Sequence, residues 1–376
     1  MLALAASGAL ALGATACGSS NKSSTSSAGS TGSASTSASS TTTASSSSAI
    51  ASGTVNGAGS TFAAPVYMQW GSELKGQGLT VNYQAVGSGA GVASWTAGTA
   101  NFAGNDSSLA PADIAAAKKG KAIQIPMFFG AITVSYNLSG VKTGLKLDGP
   151  TVANIFLGKI KSWSDPAIKA LNPGITLPSS NITIVHRSDS SGTTKGFTTF
   201  LSDVSPEWKS KIGADKVVKW PTGTGAKGND GVAAGVKQTA GAIGYVEEAY
   251  ALQNNFTTAA VKNSAGKFVE PSLASTSAAG EGLTIPADLG ISAINAPNPA
   301  AYPIASQTFI DVYQDLCKGG LDQGTAKALA SFLNFGLGKG SDELAQLYYA
   351  KLPAPILAKA QAAVSGLQCN GSPAAG

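Results

Sequence analysis

Ile182-Thr183-Ile184-Val185-His186-Arg187-Ser188-Asp189-Ser190-Ser191-Gly192-Thr193-Thr194 decides the architecture. Its first four residues are all β-branched, which predicts a strand. A polar turn with Ser and Gly follows, and Phe197, Phe200 and Leu201 then recur at helical spacing. Strand, tight polar turn and helix together are the repeating unit of an α/β fold. The same design occurs twice upstream. Leu79-Thr80-Val81-Asn82-Tyr83 reads as a strand that meets Gly87-Ser88-Gly89-Ala90-Gly91 ahead of Val92 and Trp95. Gly57-Ala58-Gly59-Ser60-Thr61 leads into Phe62, Val66, Trp70 and Leu74, an i, i+4 stripe that predicts a helix from Phe62 to Leu74. Ile132, Val134 and Tyr136 alternate as in a strand, and Ala328, Leu329, Phe332 and Leu333 share one side of a helix over about Thr325–Phe335. No internal repeat is present.

The length of 376 residues allows two lobes, each with its own core. With 46 Gly, 17 Pro and only 12% charged residues, the chain suits a loop-rich folded protein and excludes a coiled coil or an acidic disordered chain. The net charge of +5 is spread without basic runs. A nucleic-acid binder would show a clustered basic stripe. One histidine and three cysteines leave too few ligands for the usual structural or catalytic zinc sites, so no metal or cofactor is expected.

Residues 1–16, MLALAASGALALGATA, carry no charge and are too few to span a bilayer, but they fit the apolar region of a signal peptide. Ala14-Thr15-Ala16-Cys17 resembles the processing site of bacterial lipoproteins, in which the cysteine is lipidated and becomes the mature N-terminus. Ala14 stands where Leu is usual, and no Lys or Arg precedes the apolar run, from which a natural start codon further upstream is the expectation. Residues 17–53 are then the lipidated Cys17 and a Ser/Thr-rich tether, too poor in apolar side chains to form a core. Export puts the two remaining cysteines, Cys317 and Cys369, in an oxidising compartment. They pair as a disulfide, which that compartment favours, or stand as two separate buried thiols.

In all three turns Gly lets backbone approach closely, and Ser or Thr hydroxyls sit where a helix begins. Unpaired N–H groups and the positive end of the helix dipole make such turns anion sites. Taken singly, each turn is explained by an ordinary Ser or Thr cap. Arg187 adds to one of them a guanidinium able to give bidentate bonds to an oxyanion, and Asp189 is placed to hold that fork. A surface ion pair is the plainer account of the same two residues.

Two other readings start from local motifs. Gly223-Thr224-Gly225-Ala226-Lys227-Gly228 matches the dinucleotide fingerprint G-x-G-x-x-G, with Glu247 and Glu248 downstream. Pro221 interrupts the strand-to-turn join, and a nicotinamide cofactor is not expected outside the cell. An exported phosphohydrolase would use Ser191 or Thr193 as nucleophile and His186 as base. Neighbouring strand residues point opposite ways, however, so His186 and Arg187 should not share one cleft.

The runs GAGSTFAAPVY (57–67), AVGSGAGV (85–92), FAGNDSSL (102–109), IFLGKIKSWSDPAI (155–168), HRSDSSGTT (186–194), GAKGNDGVAAGVKQTAGAIGYVE (225–247) and AYPI (301–304) stand in this order. Together they resemble the phosphate-binding protein family of the bacterial high-affinity phosphate ABC importer. The resemblance implies a two-lobed α/β fold of the periplasmic-binding-protein type II kind, with hinge strands between lobes. Residues 54–130 and 301–376 would form one lobe and 131–300 the other. It implies a non-enzymatic, monomeric receptor that passes inorganic phosphate to permease subunits, held outside the cytoplasm by a lipid anchor. Carried onto this sequence, the ligand residues are Ser60, Thr61, Phe62, Ser88 and Asp106 from one lobe. Arg187, oriented by Asp189, comes from the other with Ser191, Gly192 and Thr193. Gly89-Ala90 replaces a Ser-Gly step common in the family. An ionised Asp106 only accepts hydrogen bonds, so it suits an anion that still carries a proton, as phosphate does and sulfate does not. A receptor of this fold for another tetrahedral oxyanion stays open beside the phosphate reading.

Overall fold

A computed structural model describes residues 50–374, which form a two-lobed α/β body. The leader over 1–16, Cys17 and the tether to residue 49 lie outside the described residues.

A nine-stranded mixed sheet runs through both lobes. In the first lobe, Gly53–Gly59 lies parallel to Leu79–Ala85 on one side and to Phe102–Asn105 on the other. Phe102–Asn105 is antiparallel to Ala305–Tyr313, which in turn pairs with the first part of the long Ala122–Tyr136 strand. In the second lobe the far end of that long strand pairs with Ala242–Glu247. That strand lies parallel to Thr183–Arg187, and Thr224–Ala226 follows at the edge.

The change of partner is abrupt. Ala131 is opposite Ala305, whereas the next residue, Ile132, is opposite Glu247. One continuous strand therefore crosses between lobes, and the returning chain crosses beside it, with the Ile132 N–H donating to the Ile304 carbonyl at 2.9 Å. These neighbouring crossings are the hinge. The long strand is buried on both faces from Ile125 to Tyr136, which is why its sequence is a nearly unbroken apolar run rather than an alternation. Pro126 sits inside it because the register shifts there: Thr308 pairs with Phe128 and Phe309 with Pro126, which leaves Met127 as the extra residue of a bulge.

The first helix spans Ala64–Lys75 and buries Val66, Tyr67, Trp70 and Leu74. It starts two residues later than the apolar stripe predicts. Pro65 fits the first turn of a helix, and the chain ahead of it, Ser60-Thr61-Phe62, stays non-helical. Tyr67, Trp70, Phe102, Phe128 and Phe332 pack largely edge to face in the first lobe. Phe156, Phe197, Trp220 and Tyr245 do the same work in the second, with Phe197 and Tyr245 stacked. The Gln323–Leu337 helix contributes Ala328, Leu329, Phe332 and Leu333 to the first core. Cys317 and Cys369 are joined in a disulfide that closes a loop of 52 residues.

Candidate functional site

The three Gly-Ser/Thr turns meet across the cleft between the lobes. The Ser60 N–H donates to the Gly104 carbonyl at 2.8 Å, and its Oγ accepts from the Ala63 N–H at 3.0 Å. Ser60 thus fixes the turn that carries Thr61 and Phe62. Gly59 beside it has φ +141°, and a Cβ there would lie 2.1 Å from the Gly104 carbonyl oxygen, so only Gly allows this approach. Ser88 opens the Ser88–Ala97 helix, with Gly87 at φ +94° as its cap. In the second lobe the Ser191 Oγ accepts from the Thr194 N–H and caps the Gly192–Val204 helix. Ser191 therefore does the ordinary cap's work, while its own O–H remains available.

Arg187 is held rigidly. Its Nε donates to Asp189 Oδ1 at 2.7 Å, its Nη2 pairs with Asp189 Oδ2 at 2.5 Å, and its Nη1 donates to Thr193 Oγ1 at 3.3 Å. The Gly228 N–H also donates to Asp189 Oδ1, at 3.0 Å. Burial alone would raise the Asp189 carboxyl, but the Arg187 bonds and charge and the Gly228 N–H hold it below the ordinary carboxylate value. Arg187 is only 3% exposed, so this pair is not the weak surface bridge that the bare sequence also allows.

Asp106, 2% exposed, faces Arg187 from the first lobe. Its Oδ1 accepts from Thr308 Oγ1 at 2.9 Å and its Oδ2 from Ser88 Oγ at 3.2 Å. Burial pushes its pKa up, and the hydroxyls of Ser60 and Thr308, the Arg187 charge and the Ser88 hydroxyl pull it down without cancelling the burial. All these groups favour the carboxylate, an acceptor among donors.

Bonds across the cleft are numerous. The Gly192 N–H donates to Ser88 Oγ at 3.1 Å, and the Gly89 N–H donates to the Ser190 carbonyl at 3.0 Å. Tyr250 Oη donates to the Thr61 carbonyl at 2.7 Å, and Lys216 pairs with Asp113 at 3.1 Å. Thr61, Phe62, Ser88, Asp106, Arg187, Ser191 and Thr193 are all buried, with Asp189 at the edge. His186 is elsewhere: its ring stacks on Trp220 at 4.7 Å, and its Nδ1 lies 3.0 Å from the Arg187 carbonyl. Burial lowers its pKa, and it has no contact with Ser191 or Thr193 among these hydrogen bonds.

Sequence reasoning missed Thr308 and Asn229. Thr308 reaches Asp106 from a strand some 200 residues away, beside the bulge. Asn229 lies at the start of the Gly228–Gln238 helix, immediately after the segment that mimics the dinucleotide fingerprint. Lys227-Gly228-Asn229-Asp230 is a fourth Gly-containing polar turn at a helix start, and that pattern is the signal that could have found it.

The two-lobed fold and its buried inter-lobe donors define a periplasmic-binding-protein-like chain. The PBP superfamily domain matches residues 27–338. Over 312 residues the chain is 40% identical to the phosphate-binding protein PstS of Xylella fastidiosa (strain 9a5c), covering 82% of this chain and 84% of that one. It is 41% identical to the phosphate-binding protein PstS of Pasteurella multocida (strain Pm70), covering 82% and 89% of the two chains. The crystal structure of a DING protein superposes with a TM-score of 0.68 at 23% identity, over 85% of this chain and 99% of the other, a likeness of fold alone. The chain belongs to the PstS phosphate-binding protein family.

Proposed function

We propose that this chain captures inorganic phosphate between its lobes and delivers it to the membrane permease subunits of an ABC importer. Ser60, Thr61, Phe62, Ser88 and Asp106 bind from the first lobe, residues 54–130 and 301–376. Arg187, Ser191, Gly192 and Thr193 bind from the second, residues 131–300, with Asp189 orienting the guanidinium. The single observation that carries this reading is Asp106, a buried carboxylate that faces the Asp189-held guanidinium of the opposite lobe. Arg187 and the N–H groups supply charge and donors for the anion. Asp106 accepts from an anion that still carries a proton, and a fully deprotonated one leaves it buried and repelled.

The chain is a receptor and not an enzyme, as its membership of the PstS family supports, and His186, the base that the hydrolase reading requires, packs on Trp220 instead. Phosphate contacts made by both lobes favour the closed arrangement, and the hinge at Ala131–Ile132 lets it open. The protein works outside the cytoplasm, anchored to the membrane by lipid on Cys17. Calorimetric titration of residues 50–376, stripped of bound anion, tests the reading. Tight one-to-one phosphate binding with no sulfate heat is expected. Equal binding of the two anions would remove Asp106 as the gate, and binding of neither would overturn the receptor reading.

A further inference from the structure

We propose that Asn229 is a positioning residue that fixes the hydrogen-bond polarity of two ligand threonines, one from each lobe. The inference rests on the phosphate-receptor reading. Asn229 is fully buried, and both ends of its side-chain amide and its backbone N–H are engaged. Its Oδ1 accepts from the Glu247 N–H at 3.0 Å. A backbone N–H can only donate, so this bond settles which end of the amide is oxygen. The Nδ2 group is thereby aimed at the cleft. It donates to Thr61 Oγ1 at 2.9 Å and to Thr193 Oγ1 at 3.3 Å, one bond for each of its two hydrogens. The Asn229 backbone N–H donates to Thr61 Oγ1 as well, at 3.2 Å.

A hydroxyl has one hydrogen to give and two lone pairs. Both lone pairs of Thr61 Oγ1 are occupied by Asn229, and those of Thr193 Oγ1 by Asn229 and Arg187 Nη1. Each threonine keeps only its O–H, so each is a donor and nothing else. Asp106, surrounded by donors, is the acceptor of the same site. The cleft is thus sorted into donors and one acceptor, and Asn229 is what makes the two threonines donors. Because Thr61 and Thr193 lie on different lobes, the same amide also ties the lobes together when they close.

The test is a double-mutant cycle in phosphate affinity, with dissociation rates and phosphate-free unfolding midpoints measured alongside. Asn229→Ala should weaken phosphate about tenfold or more, mainly by faster release. Asn229→Asp, the same shape without the Nδ2 donors, should weaken it further, because its carboxylate takes the threonine protons. In a Thr61→Val, Thr193→Val background, Asn229→Ala should cost under about twofold, because its targets are gone. Full loss in that background as well, or unchanged affinity in both Asn229 variants, would overturn the proposal. If the Ala variant does not fold, the isosteric Asp variant takes its place in the cycle: repulsion of the anion by its carboxylate persists in the valine background, whereas the loss through the threonines does not. Wild-type protein that binds no phosphate would overturn the receptor reading itself, which separates that failure from this one.

Discussion

The Gly192 N–H donates to Ser88 Oγ across the cleft at 3.1 Å, and a Cβ on Gly192 would stand 2.7 Å from that same oxygen. The Asp106 Cβ would be equally near, at 2.7 Å. Gly192 has no left-handed backbone to excuse it, so its place is set by contact between lobes and not by conformation. Gly192→Ala should therefore fold normally and resist closure. An overpacking cost of about 1–3 kcal/mol corresponds to roughly 5–150-fold weaker phosphate binding. Calorimetry on the variant measures it, and wild-type affinity would mean that the lobes do not approach this closely with ligand bound.

How much of this was legible in the sequence depends on the range of each interaction. The turns at Ser60, Ser88 and Ser191 could be read because Gly and a hydroxyl at a helix start are local signals, and each lies in the cleft. Arg187 and Asp189 are two residues apart, so their pairing is local too. Thr308 was out of reach because its approach to Asp106 depends on the register of a strand that returns from the other lobe. The long Ala122–Tyr136 strand showed only its last alternating part, since burial on both faces erases the period of two before Ala131. Asn229 is hidden differently: the three glycines just before it match a phosphate-cradling motif of another fold, and its own partners, Thr61 and Glu247, are distant in sequence.

The disulfide between Cys317 and Cys369 should matter for stability and not for the ligand. It closes a loop of 52 residues that supplies none of the proposed phosphate contacts. A loop of this length is worth about 4 kcal/mol in the chain-entropy model. Replacing both cysteines with serine should lower the melting midpoint by about 6 °C or less for a body of this size. Phosphate affinity should stay within about twofold of wild type. Scanning calorimetry and titration of the same sample check both halves, and an affinity loss as large as the stability loss would contradict the separation.

Asp311 gives the fold a pH dependence. It is fully buried, its Oδ2 accepts from Asn105 Nδ2 at 2.9 Å, and its Oδ1 has no hydrogen-bond partner among the described residues. Burial pushes its pKa up to about 8, opposed by Asn105 and the Lys216 charge and reinforced by Asp113 and Asp106. The native state thus keeps a proton that the unfolded chain releases near the ordinary value of 3.8. Stability from this group is fully present below that ordinary value. It declines as pH rises toward about 8, by up to about 1.4 kcal/mol per pH unit. Glu248, raised to about 7 by burial, acts in the same direction. Urea unfolding at pH 5, 6, 7 and 8 should show this decline, and Asp311→Asn should flatten it. A variant with the wild-type slope would assign the dependence to other groups.

Asp106 should make anion selectivity itself depend on pH. As a carboxylate it accepts, and sulfate has no proton to offer. Once protonated it can donate, and the obstacle to sulfate becomes a partner. Because burial raises the Asp106 pKa above the ordinary carboxylate value, this change sets in at higher pH than for an exposed aspartate. Sulfate binding should therefore strengthen as pH falls from 8 to 5, while phosphate, which gains protons over the same range, stays bound. Asp106→Asn offers an amide donor at every pH. Its sulfate affinity should be higher than wild type at pH 8 and nearly independent of pH, and it should lose more discrimination than phosphate affinity. Competition titrations of both anions at several pH values measure this directly. If sulfate is rejected equally at pH 5 and pH 8 by both proteins, Arg187 and the N–H groups select phosphate without help from Asp106.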